Sequence, residues 1–451
     1  MKSTSALLIL LLILIAWGCQ KIEETEKVIS ERPELDHHPV PEWFEEAKFG
    51  VFVHFGAMGH FGYFKNQFED QPMWLSREVI ERAANEFTLT DVHIREWAQK
   101  IKDWGATYAV LTAIQHPGFA LWDSDHNEHN ITDLSPYGKD LVKTWCESLR
   151  EEEVKVGLYY NHEDCSDSLL MQILHDSTLQ DKTDRPYWKE YLEIRDKRVE
   201  ELVSNYEDVD LLWFDADWIA KDAEELGTKK LVDMIVEKQP DVVFNNRLRS
   251  ISHGHYGTPE KYIPVTDLPK PFEVCDNLRN PGLWAYVYDR PGGDDYKLAT
   301  DVVFTLVEAI TQGGNYLLNI GPKPNGEIPE RELGIMDTVG TFVNQYAEAI
   351  FKSREGLPKN CFGGGSTWKN GSLYLFSTQN GGHIYVNGLR NPLEEITDLA
   401  TGETLNYTQF GGRPKVKRPE VIKIAIPENS TGLPRVFKVS VEGNELMIQT
   451  K

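Results

Sequence analysis

From position 39 onward, short apolar runs alternate with longer segments whose apolar residues recur every three or four positions. The runs at 50–55, 107–112, 155–160, 210–215, 242–246 and 316–320 are rich in Val, Phe, Tyr and Leu, and most lack polar alternation. Strands buried on both faces of a parallel sheet have this texture. Helices are predicted over 89–104, 141–153, 186–206, 229–238, 300–311 and 332–350. The first has Thr88 as its expected N-cap and carries Ile94, Trp97, Ile101 and Trp104 on one face. The third has Pro186 near its first turn and a stripe of Trp188, Leu192, Val199 and Leu202.

Repeated strand–helix units up to 356 favour an α/β fold, an irregular (β/α)8 TIM-like barrel, over a doubly wound sheet. No GxGxxG follows any strand. The stretch 248–290 is rich in Pro and Gly, so it is expected to be loop-rich and the barrel irregular there. Beyond 357 the period changes. Short β-type runs at 372–377, 383–386, 421–426 and 436–441, separated by Gly, Asn and Pro, predict a C-terminal β-sandwich.

Ahead of the barrel, an apolar run at 6–17 follows Met1-Lys2 and ends in Gly18-Cys19. It is too short to span a bilayer comfortably and has the length of a signal-peptide core. A small residue before a lone Cys at that place resembles a bacterial lipobox, which makes Cys19 the lipidated first residue of the mature chain. The expected organisation is a signal peptide at 1–18, a charged, lipidated tether at 19–38, the barrel at 39–356 and the sandwich at 357–451. The expected location is an exported outer-membrane lipoprotein, attached to the membrane through its lipid and facing periplasm or cell surface.

Composition narrows the partners. With 41% hydrophobic and 26% charged residues, global disorder is excluded. A formal net charge of −24 argues against nucleic acid and against polyanionic substrates, but is indifferent to a neutral sugar. Twelve Trp and eighteen Tyr serve core packing and can also form the apolar platforms on which sugar rings lie. Cys146, Cys165, Cys275 and Cys361 are scattered, without the spacing of a disulfide framework or a zinc site, and Cys146 reads as core.

In barrel enzymes the catalytic groups stand at the C-terminal ends of strands. Here those ends carry His54, then Gln115 and His116, then Tyr159, Asn161 and His162, then Asp215 and Asp217, then Asn246 and Arg247. Asp215 closes the run Leu211-Leu212-Trp213-Phe214 and so delivers a carboxylate to the mouth beside a Trp. Sugar hydrolysis needs two carboxyl groups, one acting as nucleophile or base and one as acid. The second is Glu260 or Glu273, both in the loop-rich stretch after Arg247. No cofactor and no metal is expected, because the run Asn161-His162-Glu163-Asp164 supplies too few convergent ligands from one strand end.

These residues resemble glycoside hydrolase family 29, the α-L-fucosidases. The resemblance rests on Trp43-Phe44, on 47–56 with its Val53-His54-Phe55-Gly56, on 104–112, and on Leu121-Trp122-Asp123-Ser124. It continues through Leu212-Trp213-Phe214-Asp215, Thr258-Pro259-Glu260 and the run 313–322, and covers essentially the whole chain after Pro39. It implies Asp215 as nucleophile and Glu260 as general acid/base, with Glu273 as rival for the second role and otherwise a sugar-binding residue. It further implies that His54, His116, Tyr159, Trp213 and Arg247 bind the sugar, and that Trp74 and Trp284 wall the pocket.

Departures from the family pattern fall on recognition. The usual His-His-Asp-Gly-Phe is Gln115-His116-Pro117-Gly118-Phe119, and Met73 stands where a Glu usually precedes Trp74. Ala285 replaces a common Gly. Losing hydrogen-bond partners worth about 1–3 kcal/mol each is enough to move specificity between related sugars. The expected function is therefore a retaining exo-glycosidase that releases terminal α-L-fucose from glycans through a covalent glycosyl-enzyme intermediate. One alternative keeps the mechanism on another L-hexoside, such as an α-L-glucoside. The other is a non-catalytic glycan-binding lipoprotein, against which the intact Asp215 and Glu260 speak.

Overall fold

A computed structural model describes residues 40–57, 76–250, 252–263, 271–279, 284–286, 295–411 and 420–449. The expectations for Cys19, for the leader and tether, and for Trp74 lie outside the described residues.

Among the described residues seven strands form one parallel sheet: β1 (Phe49–Val53), β2 (Tyr108–Ile114), β3 (Lys155–Asn161), β4 (Leu211–Asp215), β5 (Val243–Phe244), β6 (Glu273–Asn277) and β7 (Asn315–Ile320). Their order is β5-β4-β3-β2-β1-β7-β6. The longer helices between them are α1 (Asp91–Asp103), α2 (Leu141–Glu151), α3 (Pro186–Ser204), α4 (Thr228–Lys238), α5 (Ala299–Thr311) and α6 (Glu330–Gln345). All six expected strands and helices are present. The cap of α1 is Thr90 rather than Thr88, because the His93 ring accepts the Thr90 N–H at 3.1 Å and so fixes the turn two residues later. The strand β6 was hidden in the stretch read as loop. Its polar residues Glu273, Asp276 and Asn277 broke the apolar run, although the whole strand is buried.

The outer strands β5 and β6 are joined through the segment 255–261. On one side His255 N donates to Phe244 O at 2.8 Å and Asn246 N to Tyr256 O at 3.0 Å. On the other, Glu273 N donates to Gly257 O at 2.9 Å and Cys275 N to Pro259 O at 3.1 Å. The Thr258-Pro259-Glu260 stretch is thus held between two strands instead of hanging free.

Period-two alternation sorts the strand residues into two apolar layers. Val51, Val53, Leu111, Leu158, Leu212, Phe214 and Val274 belong to the large cluster formed with the helices. Phe52, Tyr108, Val110, Tyr159, Trp213, Cys275 and Leu317 form a separate inner cluster. Gly50 is required here: a Cβ would lie 2.4 Å from the Tyr108 ring, which fills that space. Residues two further along the inner rows are His54, Asn161 and Asp215, so the alternation that builds the inner core also lifts these groups to its upper end.

The remainder is antiparallel. A five-stranded sheet runs β12-β15-β10-β9-β8 and a three-stranded sheet runs β11-β14-β13. These strands are β8 (Arg354–Glu355), β9 (Gly365–Lys369), β10 (Ser372–Ser377), β11 (Gly382–Asn387), β12 (Leu393–Asp398), β13 (Tyr407–Gly411), β14 (Glu420–Ile426) and β15 (Arg435–Val441). Alternate residues of both sheets, including Leu373, Leu375, Ile384, Ile422, Ile424, Phe437 and Val439, share one apolar cluster.

Candidate active site

At the C-terminal ends of β1 to β5 a cavity of about 190 Å³ is lined by His54, Gln115, His116, Tyr159, Trp213, Asp215, Arg247, Glu260 and Trp284, together with Phe52, Trp218 and Cys275. Of the strand-end residues named from the sequence, His54, Gln115, His116, Tyr159, Asp215 and Arg247 converge there, whereas Asn161, His162, Asp217 and Asn246 do not line it. His162 is buried against Phe214, Asn161 donates to the Tyr159 hydroxyl, and Asp217 accepts from Arg249 N. Glu260 and Trp284 join the converging set, Glu273 does not, and Trp74 lies outside the described residues.

Asp215 ends β4, and the chain turns at once because Ala216 adopts the left-handed conformation (φ 59°, ψ 34°). A non-glycine residue there is strained, and such strain is held only where the surroundings over-determine it. The strand end is pinned by Asn245, whose side chain accepts from Phe214 N (3.1 Å) and donates to Phe214 O (2.9 Å). The carboxylate then receives one donor on each oxygen: Arg247 Nη1 on Oδ1 at 2.5 Å and the Tyr159 hydroxyl on Oδ2 at 2.9 Å. Burial first, and the Asp215 charge second, raise the Tyr159 pKa well above its usual value, so its proton stays in place as a donor.

Arg247 also organises the other carboxylate. Its Nε donates to Thr258 Oγ1 (3.0 Å) and its Nη2 to Glu260 Oε2 (3.3 Å), while its plane lies 4.6 Å from the Trp213 ring centroid. Burial is the largest influence and works against its charge, but the charge and hydrogen bond of Asp215, together with Cys275 and Glu260, raise its pKa and keep the guanidinium protonated. Glu260 is the more open of the two acids, with 38% of its side chain exposed against 16% for Asp215. Its second oxygen meets Lys261 Nζ at 3.2 Å.

His54 presents a defined hydrogen-bond polarity. Asn319 donates through Nδ2 to Trp284 O (2.6 Å), which turns its Oδ1 towards His54 Nδ1 at 2.6 Å. The imidazole must then carry its proton on Nδ1. Burial lowers its pKa to about 3, so the ring is neutral and Nε2 is left as an acceptor. The ring stacks on Trp284 with centroids 5.1 Å apart.

Glu273 does not line the cavity. It is the first residue of β6, paired in register with Asn315 at the start of β7, so it sits a layer below Cys275, which does line it. Its carboxyl is fully buried, accepting from Tyr108 Oη at 2.5 Å and from Trp213 Nε1 at 3.0 Å. Burial raises its pKa to about 7. The expectation that it touches sugar or transfers the leaving-group proton does not fit this position, because no substrate reaches a group sealed beneath Trp213.

Sequence reasoning missed Trp218, whose half-exposed ring stacks on His116 at the rim (centroids 6.0 Å apart). Its position three residues after Asp215, in a polar loop, was the available signal. Phe52 and Cys275 were missed because nothing in their sequence separates them from ordinary inner-layer residues. A further cluster was dismissed along with its strand end. His116 from the β2 loop and Glu163 and Cys165 from the β3 loop bring ligand atoms within 4.8 Å of one another.

Chemically, the arrangement offers two carboxyl groups on one guanidinium, a neutral imidazole acceptor, and aromatic faces around a hollow of monosaccharide scale. That is what cleavage of a glycosidic bond with two carboxyl groups requires.

Comparisons with known proteins agree. A family model described as "Alpha-L-fucosidase" matches residues 16–348. The tissue alpha-L-fucosidase of Homo sapiens is 27% identical over 428 residues, spanning 90% of this chain and 88% of that protein. The structure of alpha-L-fucosidase isoenzyme 1 from Paenibacillus thiaminolyticus is 28% identical, with a TM-score of 0.74, covering 89% of this chain and 98% of that one. A Bacteroides thetaiotaomicron alpha-L-fucosidase, trapped as a covalent intermediate with 2-fluoro-fucosyl fluoride, shares the fold at 21% identity and a TM-score of 0.78, over 92% and 99% of the chains.

Proposed function

This chain belongs to the alpha-L-fucosidase family of glycoside hydrolases, and from that premise we propose that it releases terminal α-L-fucose from glycans with retention, using Asp215 as nucleophile and Glu260 as acid/base. The observation that carries the assignment of roles is Arg247, which holds both carboxyl groups at one pocket. In the first step Asp215 attacks the anomeric carbon while Glu260 gives its proton to the departing glycosidic oxygen. In the second, Glu260 takes a proton from water, the oxygen attacks the anomeric carbon, and the Asp215 ester bond breaks. Arg247 and Tyr159 orient the carboxylate and stabilise it again as it leaves. His54 Nε2 accepts a sugar hydroxyl, and Trp213 and Trp284 exclude water from the apolar side of the ring. A hollow of about 190 Å³ has room for one sugar ring, which favours exo action.

We read the seven parallel strands plus the bridging segment 255–261 as an irregular (β/α)8 barrel, and the two antiparallel sheets over one apolar cluster as a C-terminal β-sandwich. Domain limits of 39–356 and 357–451, a leader at 1–18 and a tether at 19–38 lipidated on Cys19 complete the proposal, as does a place on the outer membrane. Its support for the leader and anchor is the sequence pattern alone.

The direct test is purified protein offered aryl α-L-fucoside, aryl α-L-glucoside and aryl β-D-galactoside. Preference for the fucoside supports the reading. Preference for the glucoside would keep the mechanism and move the sugar, and inertness on all three would leave only glycan binding.

A further inference from the structure

We propose that His116, Glu163 and Cys165 form a binding site for a borderline-soft divalent cation of the zinc type, through which the cation inhibits sugar binding. The site joins two loops. His116 Nδ1 lies 2.9 Å from Glu163 Oε2, and the Cys165 thiol completes a set whose ligand atoms lie within 4.8 Å of one another. Imidazole, carboxylate and thiolate are the three zinc donor types, and tetrahedral ligand bonds of about 2.0–2.3 Å place the donors roughly 3.3–3.6 Å apart, within the spread of this set once the His116–Glu163 pair opens slightly. Three protein ligands leave the fourth position for water or a sugar hydroxyl.

The framework is held before any cation arrives. Cys165 N donates to His116 O at 2.7 Å, and Glu163 N donates to Asn161 Oδ1 at 2.9 Å. The neighbouring acid Asp164 is not available as a ligand, because Arg198 holds one of its oxygens (2.9 Å) and Ser166 the other. Gly118 makes room for that arrangement: a Cβ there would meet Asp164 Oδ1 at 1.9 Å. Binding puts the cation in place of the thiol proton, which is released to solvent.

The consequence falls on the pocket, since His116 lines it. A cation on Nδ1 takes that nitrogen from Glu163, leaves Nε2 as a proton donor towards the cavity and adds positive charge at its wall, so inhibition is expected chiefly as a raised KM. This last part rests on the fucosidase reading, whereas the binding itself does not.

The test uses the untagged full-length protein with ZnCl2 in calorimetry and CoCl2 in absorption spectroscopy. The expected result is one Zn2+ per chain, weakened at least about tenfold in both Cys165→Ser and Glu163→Gln. A thiolate-to-cobalt band in the near ultraviolet is expected in the wild type and absent from Cys165→Ser. Zn2+ is expected to raise KM for the aryl fucoside, to be reversed by a chelator, and to act much more weakly on Cys165→Ser, whose metal-free turnover reports that it is folded. Wild-type Zn2+ affinity in Cys165→Ser, or no cobalt band in the wild type, overturns the site. Inhibition absent despite binding overturns only its effect on the sugar pocket.

Discussion

The indole N–H of Trp213 donates to Glu273 Oε1 at 3.0 Å, while the face of the same ring carries the Arg247 guanidinium at 4.6 Å. One buried carboxyl group therefore sets the platform beneath the cation that holds both acids of the site. It does so without entering the pocket.

The position of Glu273 predicts a pH-dependent stability. Burial raises its pKa from 4.5 to about 7, so the folded state keeps a proton that the unfolded chain releases. Its contribution is fully present below about pH 4.5 and is lost as pH rises towards 7, because the unfolded chain binds fewer protons across that window. The amount is of order 3 kcal/mol. Thermal unfolding followed by circular dichroism between pH 4.5 and 8 is expected to show a steeper decline for the wild type than for Glu273→Gln. Parallel curves would contradict it.

Replacing Asp215 by Ala or Asn is expected to lower turnover at least about 10³-fold while leaving the fold intact. The group removed is partly exposed and its neighbour Arg247 keeps Glu260 as a partner. Azide added to Asp215→Ala should restore aryl glycoside cleavage and yield a glycosyl azide of inverted anomeric configuration. Wild-type turnover by the variant would sink the nucleophile.

Glu260→Ala is expected to slow a natural disaccharide far more than a dinitrophenyl glycoside, since only the former leaving group needs a proton. The alkaline limb of its pH profile, where the general acid loses its proton, should disappear as well. Glu273→Ala, which cuts into the support of Trp213, should harm both substrates alike. If the contrast between leaving groups appears for Glu273 instead, the two roles must be exchanged.

Cys19→Ser is expected to convert a membrane-attached protein into an unprocessed or soluble one in a lipoprotein-processing host, because a lipidated Cys19 is the proposed anchor. Unchanged fractionation of the variant would refute the lipobox.

Sequence alone determined six of the seven parallel strands and the six longer helices, because period 2 and period 3.6 are local properties written into consecutive residues, and it missed β6, whose polar residues interrupt the apolar run. It also determined that His54, Tyr159, Asp215 and Arg247 would gather, since a strand that ends in a polar residue carries that residue to a common rim. What tertiary structure decided was depth. Glu260 and Glu273 lie thirteen residues apart in one Pro- and Gly-rich stretch and read as equivalent acids. Only the insertion of 255–261 between β5 and β6 raises Glu260 to the rim. Only the register of β6 against β7 sinks Glu273 to the layer of Tyr108, 165 residues away in sequence. The same holds for Cys165, which reads as an isolated thiol until the β2 and β3 loops bring it to His116. A carboxyl or thiol group takes its chemistry from solvent exposure and charged neighbours, and those are supplied by residues far along the chain that no local pattern names.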